Sequence, residues 1–146
     1  MTETEILTYS PAETLLWAAD FARTLESRAV VALYGELGAG KTVIAKGIGR
    51  GLSVREEIIS PTFNYVLEYA GRVKLFHADL YRIEDATVFR AMGLEEYFER
   101  DGVLVIEWAE KVRELLPPET IEITIESEGD TRRRITVKRK SDAALS

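Results

Sequence analysis

The chain has 146 residues, 46% of them hydrophobic and 30% charged, with a formal net charge of −6 and no cysteine. That balance describes a globular protein of one domain and excludes disulfides, thiolate metal sites and cysteine nucleophiles. No apolar run approaches the roughly 18 residues that a membrane span needs, and the acidic start is unlike a secretion signal, so a cytoplasmic location without membrane contact is expected.

The first predicted helix is "SPAETLLWAADFARTLES". Ser10 and Glu13 have capping-box spacing, and Pro11 occupies a position that a first turn tolerates. Leu15, Ala18, Ala19, Ala22 and Leu25 share one face. "AVVALY" (29–34) is a continuous apolar run of strand length, as a strand covered on both sides requires. Gly35, Gly38 and Gly40 follow closely, then Lys41 and Thr42, and "TVIAKGIGRGL" resumes a helical period.

A tight turn needs one glycine at most. Gly35 to Thr42 fits G-x-x-x-x-G-K-[ST] at every fixed position, and it has the strand before and the helix after that this motif requires. Without side chains at the glycines, backbone N–H groups can turn inward as an anion nest, and the helix adds its positive N-terminus. The expected ligand is a nucleoside triphosphate. Gly35, Glu36, Leu37, Gly38, Ala39 and Gly40 would cradle the phosphates, Lys41 would place a charge on the β and γ groups, and Thr42 would offer its hydroxyl to Mg2+.

Further along, "IISPTFNYVLEYAGRVKLFHADLYRI" predicts two strands about an Ala-Gly-Arg turn. Residues 84–99 read as helical, with Gly93 as a break. "GVLVIEW" (102–108) is a second buried strand, "EKVRELL" stops at Pro117-Pro118, and "TIEITIES" with "RRRITVKR" predicts a hairpin around Gly129-Asp130. "RRRITVKRK" (132–140) holds six of the nineteen basic residues and leaves −12 on the remainder. It reads as the solvated face of an edge strand, with a frayed basic tail from about 138 to 146. The acidic remainder argues against nucleic-acid binding over the whole surface. The fold class expected is α/β, a P-loop NTPase-like three-layer sandwich whose sheet is mainly parallel with an antiparallel C-terminal hairpin.

Two strand ends deliver acids that could hold Mg2+ or work on the attacking water: Asp79 after "VKLFHA" and Glu107 after "GVLVI". Which is ligand and which is base stays open. The chain has no glutamine, so a glutamine-positioned water is closed to it. Its one asparagine, Asn64, precedes Tyr65, so no guanine-reading N-K-x-D element exists and ATP is favoured. The single histidine, His77, reads as packed or solvent-facing.

"GELGAGKT", "SPTFNYVLEY", "HADLYRI" and "VIEWAE", in this order and spacing, resemble the TsaE (YjeE) family over residues from about 7 to 137. Phe63 and Ala78 are small departures. The resemblance implies a P-loop ATPase of tRNA threonylcarbamoyladenosine biosynthesis, slow by itself, that works with a TsaB–TsaD protein pair and meets tRNA through that complex. It implies that Ser60-Pro61-Thr62-Phe63 is a switch-like loop in which Thr62 senses the γ-phosphate. It also makes Asp79 an essential acid and Glu107-Trp108 a functional pair. It extends the nucleotide site to Ser10 near the chain's start and to one arginine of the last hairpin, Arg132 among three neighbours. Two other functions fit the same loop: a small-molecule kinase, which would need an acceptor pocket and an arginine-bearing lid, and an ATP-sensing adaptor without turnover.

Overall fold

The computed structural model describes residues 2–36, 38–61 and 65–139. Among them, β1 (Thr2–Thr8), β2 (Val30–Tyr34), β3 (Val66–Tyr69), β4 (Leu75–Asp79), β5 (Val103–Glu107), β6 (Ile121–Ser127) and β7 (Arg133–Arg139) form one sheet in the order β1-β7-β6-β2-β5-β4-β3. The four strands β6, β2, β5 and β4 run parallel, and β3, β7 and β1 are antiparallel additions.

Successive side chains of a strand point to opposite faces, and every residue of β2 and β5 is buried. Val31, Leu33, Val103 and Val105 join one core with helices α1 (Pro11–Ala22) and α2 (Lys41–Gly51). Val30, Ala32, Leu104 and Ile106 join a second core, covered by α3 (Ala86–Ala91) and two 3-10 segments, Leu94–Phe98 and Ala109–Leu115. This is the three-layer α/β arrangement, and it explains why the two central strands are apolar without alternation.

The N-terminal signal of α1 forms with a shift of one residue. The Ser10 hydroxyl accepts from the Glu13 N–H at 3.1 Å, while the Glu13 carboxylate accepts from the N–H of Tyr9 rather than Ser10. Gly93 stands between α3 and the following 3-10 segment at φ +75°, which breaks the 84–99 helix where expected. "EKVRELL" falls in a kinked 3-10 segment rather than an α-helix.

The basic strand departs from expectation. β7 is not an edge strand; it lies between β6 and β1, and β1 takes the edge. The reason is charge complementarity across the ladders. Glu3 and Glu122 both stand opposite Lys138, Glu126 stands opposite Arg134, and Arg134 pairs with Glu128 at 2.6 Å and Glu5 at 3.8 Å. β1 itself is largely exposed and polar on both faces, so no apolar alternation announces it. Lys138 and Arg139 belong to the sheet, while residues 140–146 of the expected tail lie outside the described residues.

α1 crosses α2 at a distance that only glycine permits. A Cβ at Gly47 would meet the Leu15 carbonyl oxygen at 2.5 Å and the Ala18 Cβ at 2.6 Å. Gly47→Ala gains up to about 1 kcal/mol of helix propensity but overpacks a backbone contact that costs about 1–3 kcal/mol. The clash with a fixed carbonyl should win. A net loss of about 1 kcal/mol is expected, seen as a lower urea midpoint with unchanged slope; an equal or higher midpoint would show that the two helices separate freely.

Candidate functional site

Parallel pairing brings the ends of three strands to one edge of the sheet. Leu33 of β2 stands opposite Glu107 of β5, and Glu107 stands opposite Asp79 of β4. The glycine loop leaves β2 at this same edge and turns into α2. Its turns depend on glycine at both ends. Gly35 lies at φ +152°, where a Cβ would meet the Ile125 carbonyl oxygen at 2.6 Å, and Gly40 caps α2 at φ +118°. Ala39 N–H donates to the Glu36 carbonyl and closes the loop on itself. Helix geometry leaves the first N–H groups of α2 without intrahelical acceptors at this end of the loop.

Lys41 opens α2 with its side chain folded over this loop. The ammonium donates to the carbonyl oxygens of Gly35 and, at 3.0 Å, Glu36, and sits 4.0 Å from the centre of the Trp108 ring. Burial pulls its pKa below the usual lysine value, against the opposing pull of Glu107 and the neighbouring acids Glu110, Asp79 and Glu36. Thr42, one residue on, donates its hydroxyl to Glu107 Oε1 at 3.2 Å, with Oε2 at 3.5 Å. Glu107 is buried, and its Oε2 lies 2.7 Å from Nε2 of His77, which is fully buried.

Asp79 completes the acid pair from the adjacent strand. Its Oδ1 accepts from the Tyr81 N–H at 3.0 Å, and burial raises its pKa, with Glu107 pushing the same way. Trp108 is at φ +60° and half-buried, and its ring meets that of Tyr81 at 5.0 Å. Together Lys41, Thr42, Asp79, Tyr81, Glu107 and Trp108 line an open cleft of about 390 Å3 that Ser60 also borders. All of its metal-competent atoms are hydroxyl or carboxylate oxygens, which suit a hard cation such as Mg2+. Chemically, the cleft offers N–H groups and an ammonium to an anion at the loop, hydroxyl and carboxylate oxygens to a divalent cation beside Thr42, and a carboxylate to a proton.

Ser10 and Arg132, also proposed from the sequence, are not among the described residues that line this cleft. Ser10 spends its hydroxyl on capping α1. Arg132 pairs with Glu128 at 3.4 Å, with no hydrogen bond or ion pair to the described loop residues; its neighbour Arg133 has one, donating Nε–H to the Ala39 carbonyl at 2.9 Å. Arg133 also borders an adjoining, smaller cavity of about 190 Å3, with Pro11, Thr14, Val43 and Ile125. Leu37 and Thr62 lie outside the described residues. His77 is packed, one of the two readings the sequence left open, and two features carried a legible signal of where their side chains lie. His77 is two residues before Asp79 on a strand, which puts both on one face. Arg133 alternates with Ile135 and Val137, so it faces the α1–α2 side of the sheet.

The sign of the Asp79 shift has a consequence for stability. A raised native pKa means that the folded chain binds this proton more tightly than the unfolded chain, so ionising Asp79 works against folding. The penalty is absent below the unfolded value, about 4, and complete above the raised native value. Asp79→Asn keeps an oxygen for the Tyr81 N–H. It is expected to raise Tm at neutral pH in metal-free buffer, with the gain fading as pH falls through the raised native value and gone by about 4. A gain that persists unchanged in acid, or none at neutral pH, would contradict it.

The family described as "Threonylcarbamoyl adenosine biosynthesis protein TsaE" matches this chain over residues 8–135. The tRNA threonylcarbamoyladenosine biosynthesis protein TsaE of Treponema pallidum is 42% identical over 128 residues, covering 88% of this chain and 95% of that one. The protein of the same name from Bacillus subtilis is 42% identical over 130 residues, covering 88% and 81%. Among solved structures, the crystal structure of Bacillus subtilis YdiB superposes with a TM-score of 0.80 at 35% identity, over 97% of this chain and 88% of that one.

Proposed function

The chain belongs to the TsaE family, and from that premise we propose that it binds ATP with Mg2+ and hydrolyses it slowly. The hydrolysis supports formation of N6-threonylcarbamoyladenosine at position A37 of tRNA, in company with a TsaB–TsaD pair. The observation that carries the reading is the contact of Thr42 with Glu107 at the N-terminus of α2, directly beside the glycine loop and Lys41. A hydroxyl, a carboxylate and an ammonium at a helix N-terminus form the set that binds phosphates with a divalent ion.

The residues take the following roles. The loop backbone and the first turn of α2 hold the phosphates. Lys41 gives up the Gly35 and Glu36 carbonyls for phosphate oxygens, an exchange of neutral acceptors for charged ones that favours the ligand. Thr42 and one of the two acids would hold Mg2+, which takes few protein ligands and fills the rest with water and phosphate oxygens. When bound, that ion would neutralise charge on the transferring phosphoryl group. The other acid accepts a proton from the attacking water, as the chain has no glutamine for the task. Trp108, packed between Lys41 and Tyr81, excludes water from one wall. The apolar cavity beside Arg133 suits the face of a nucleobase.

Phosphate release, measured with and without the TsaB–TsaD pair and tRNA, tests the reading. Strong stimulation by the partners is expected; labelled phosphate appearing on a metabolite would favour a kinase instead. Two variants sharpen it. Lys41→Ala should lose nucleotide binding by calorimetry, and wild-type affinity in that variant would remove the loop from the site. Glu107→Ala should still bind nucleotide but lose about a hundredfold or more in partner-stimulated turnover, the scale of a lost general base or its equivalent. Wild-type turnover in Glu107→Ala would make that acid structural and pass its role to Asp79.

A further inference from the structure

Among the described residues, one buried ionisable side chain takes no part in the roles above. His77, the only histidine of the chain, is fully buried on the α1–α2 side of β4, in line with Leu75 and Asp79. It stands opposite Val105, while Asp79 stands opposite Glu107, so the imidazole reaches Glu107 diagonally from one pleat deeper in the core. An imidazole in such a place is expensive unless its hydrogen bonds are used.

The bond it makes goes to one oxygen only. Nε2 lies 2.7 Å from Glu107 Oε2, and Nδ1 has no partner among the described residues. A bare buried acceptor is easier to tolerate than a bare buried N–H, and the carboxylate accepts but does not donate, so the proton sits on Nε2. Thr42 scarcely distinguishes the two carboxylate oxygens, at 3.2 and 3.5 Å. The last torsion of a glutamate is broad and roughly two-fold, so without a further anchor the carboxylate plane would turn.

We propose that His77 is the positioning residue for Glu107: its Nε2–H ties Oε2 to the core and leaves Oε1 directed at Thr42 and the cleft. The inference rests on the ATPase reading and adds the group that orients its acid. Gln and Asn substitutions separate positioning from packing, since a glutamine amide nitrogen reaches the place of Nε2 and an asparagine amide only that of Nδ1. With partners present and at saturating Mg2+, His77→Gln should keep kcat within about threefold, whereas His77→Asn should lose about tenfold or more with KM little changed.

Equal losses in both variants at matched Tm, or none in either, would overturn the proposal. Independently of any variant, the single imidazole makes the nitrogen-15 spectrum of the wild-type protein assignable by itself. A protonated Nε2 and a bare Nδ1 are expected, and a bare Nε2 overturns the proposal even if both variants fail to fold. A wild-type protein silent towards ATP with its partners would sink the ATPase reading instead, and the spectrum would still decide whether His77 holds Glu107.

Discussion

The parallel register of β2, β5 and β4 is the constraint on which everything else depends. Because Leu33, Glu107 and Asp79 stand side by side, three strands release their next residues at one edge. A glycine loop leaves the first strand there, and the other two strands end in acids. The crevice outside the carboxyl ends of parallel strands is where α/β sheets bind ligands, because the connecting backbone opens there. Both faces of the sheet must be covered for those strands to be so apolar, and α1 with α2 on one side and α3 with the 3-10 segments on the other do so. The packing that stabilises the sheet thus also aims the site.

Within the cleft, charge is satisfied internally. Lys41 bonds to its own loop, Thr42 and His77 bond to Glu107, and Asp79 bonds to the Tyr81 backbone. Each of these contacts gives a charged group a partner inside the described cleft. They spare these charged groups the cost of an unmet buried group, about 1–3 kcal/mol. Burial lowers the Lys41 pKa and raises that of Asp79 while the two remain close together. Each charged form is disfavoured by desolvation, and the attraction between them offsets only part of that.

Two of the four described non-glycine residues with left-handed φ stand at the same place. Trp108 and Tyr65 adopt φ of +60° and +62°, a left-handed conformation that non-glycine residues visit seldom. Both flank the site: Trp108 directly follows Glu107, and the Tyr65 carbonyl accepts from the Asp79 N–H at 2.9 Å. The left-handed turn at Trp108 swings its ring away from the strand direction and under Lys41. Lys111 braces the facing segment by donating to the Tyr81 and Ile83 carbonyls at 2.6 and 2.7 Å. Aromatic wall and acid are therefore fixed by neighbouring backbone, not by loop flexibility.

By itself the sequence determined the features that local physics controls. Uninterrupted apolar runs marked β2 and β5, since a strand covered on both faces has no polar side to show. Gly35 and Gly40 marked the loop, because their conformations and the approach of Ile125 forbid a side chain. Gly93 and the Ser10–Glu13 spacing marked helix ends. What only the tertiary structure decided was which strand lies beside which. β1 was silent in the sequence because neither of its faces is mostly apolar, and β7 took its place between β1 and β6 through charges distant in the chain. The same holds for the site. Glu107 follows Thr42 by 65 positions and His77 by 30, so their contact depends on strand order and register. Periodicity reports the face on which a side chain lies, but not the neighbour that it meets there.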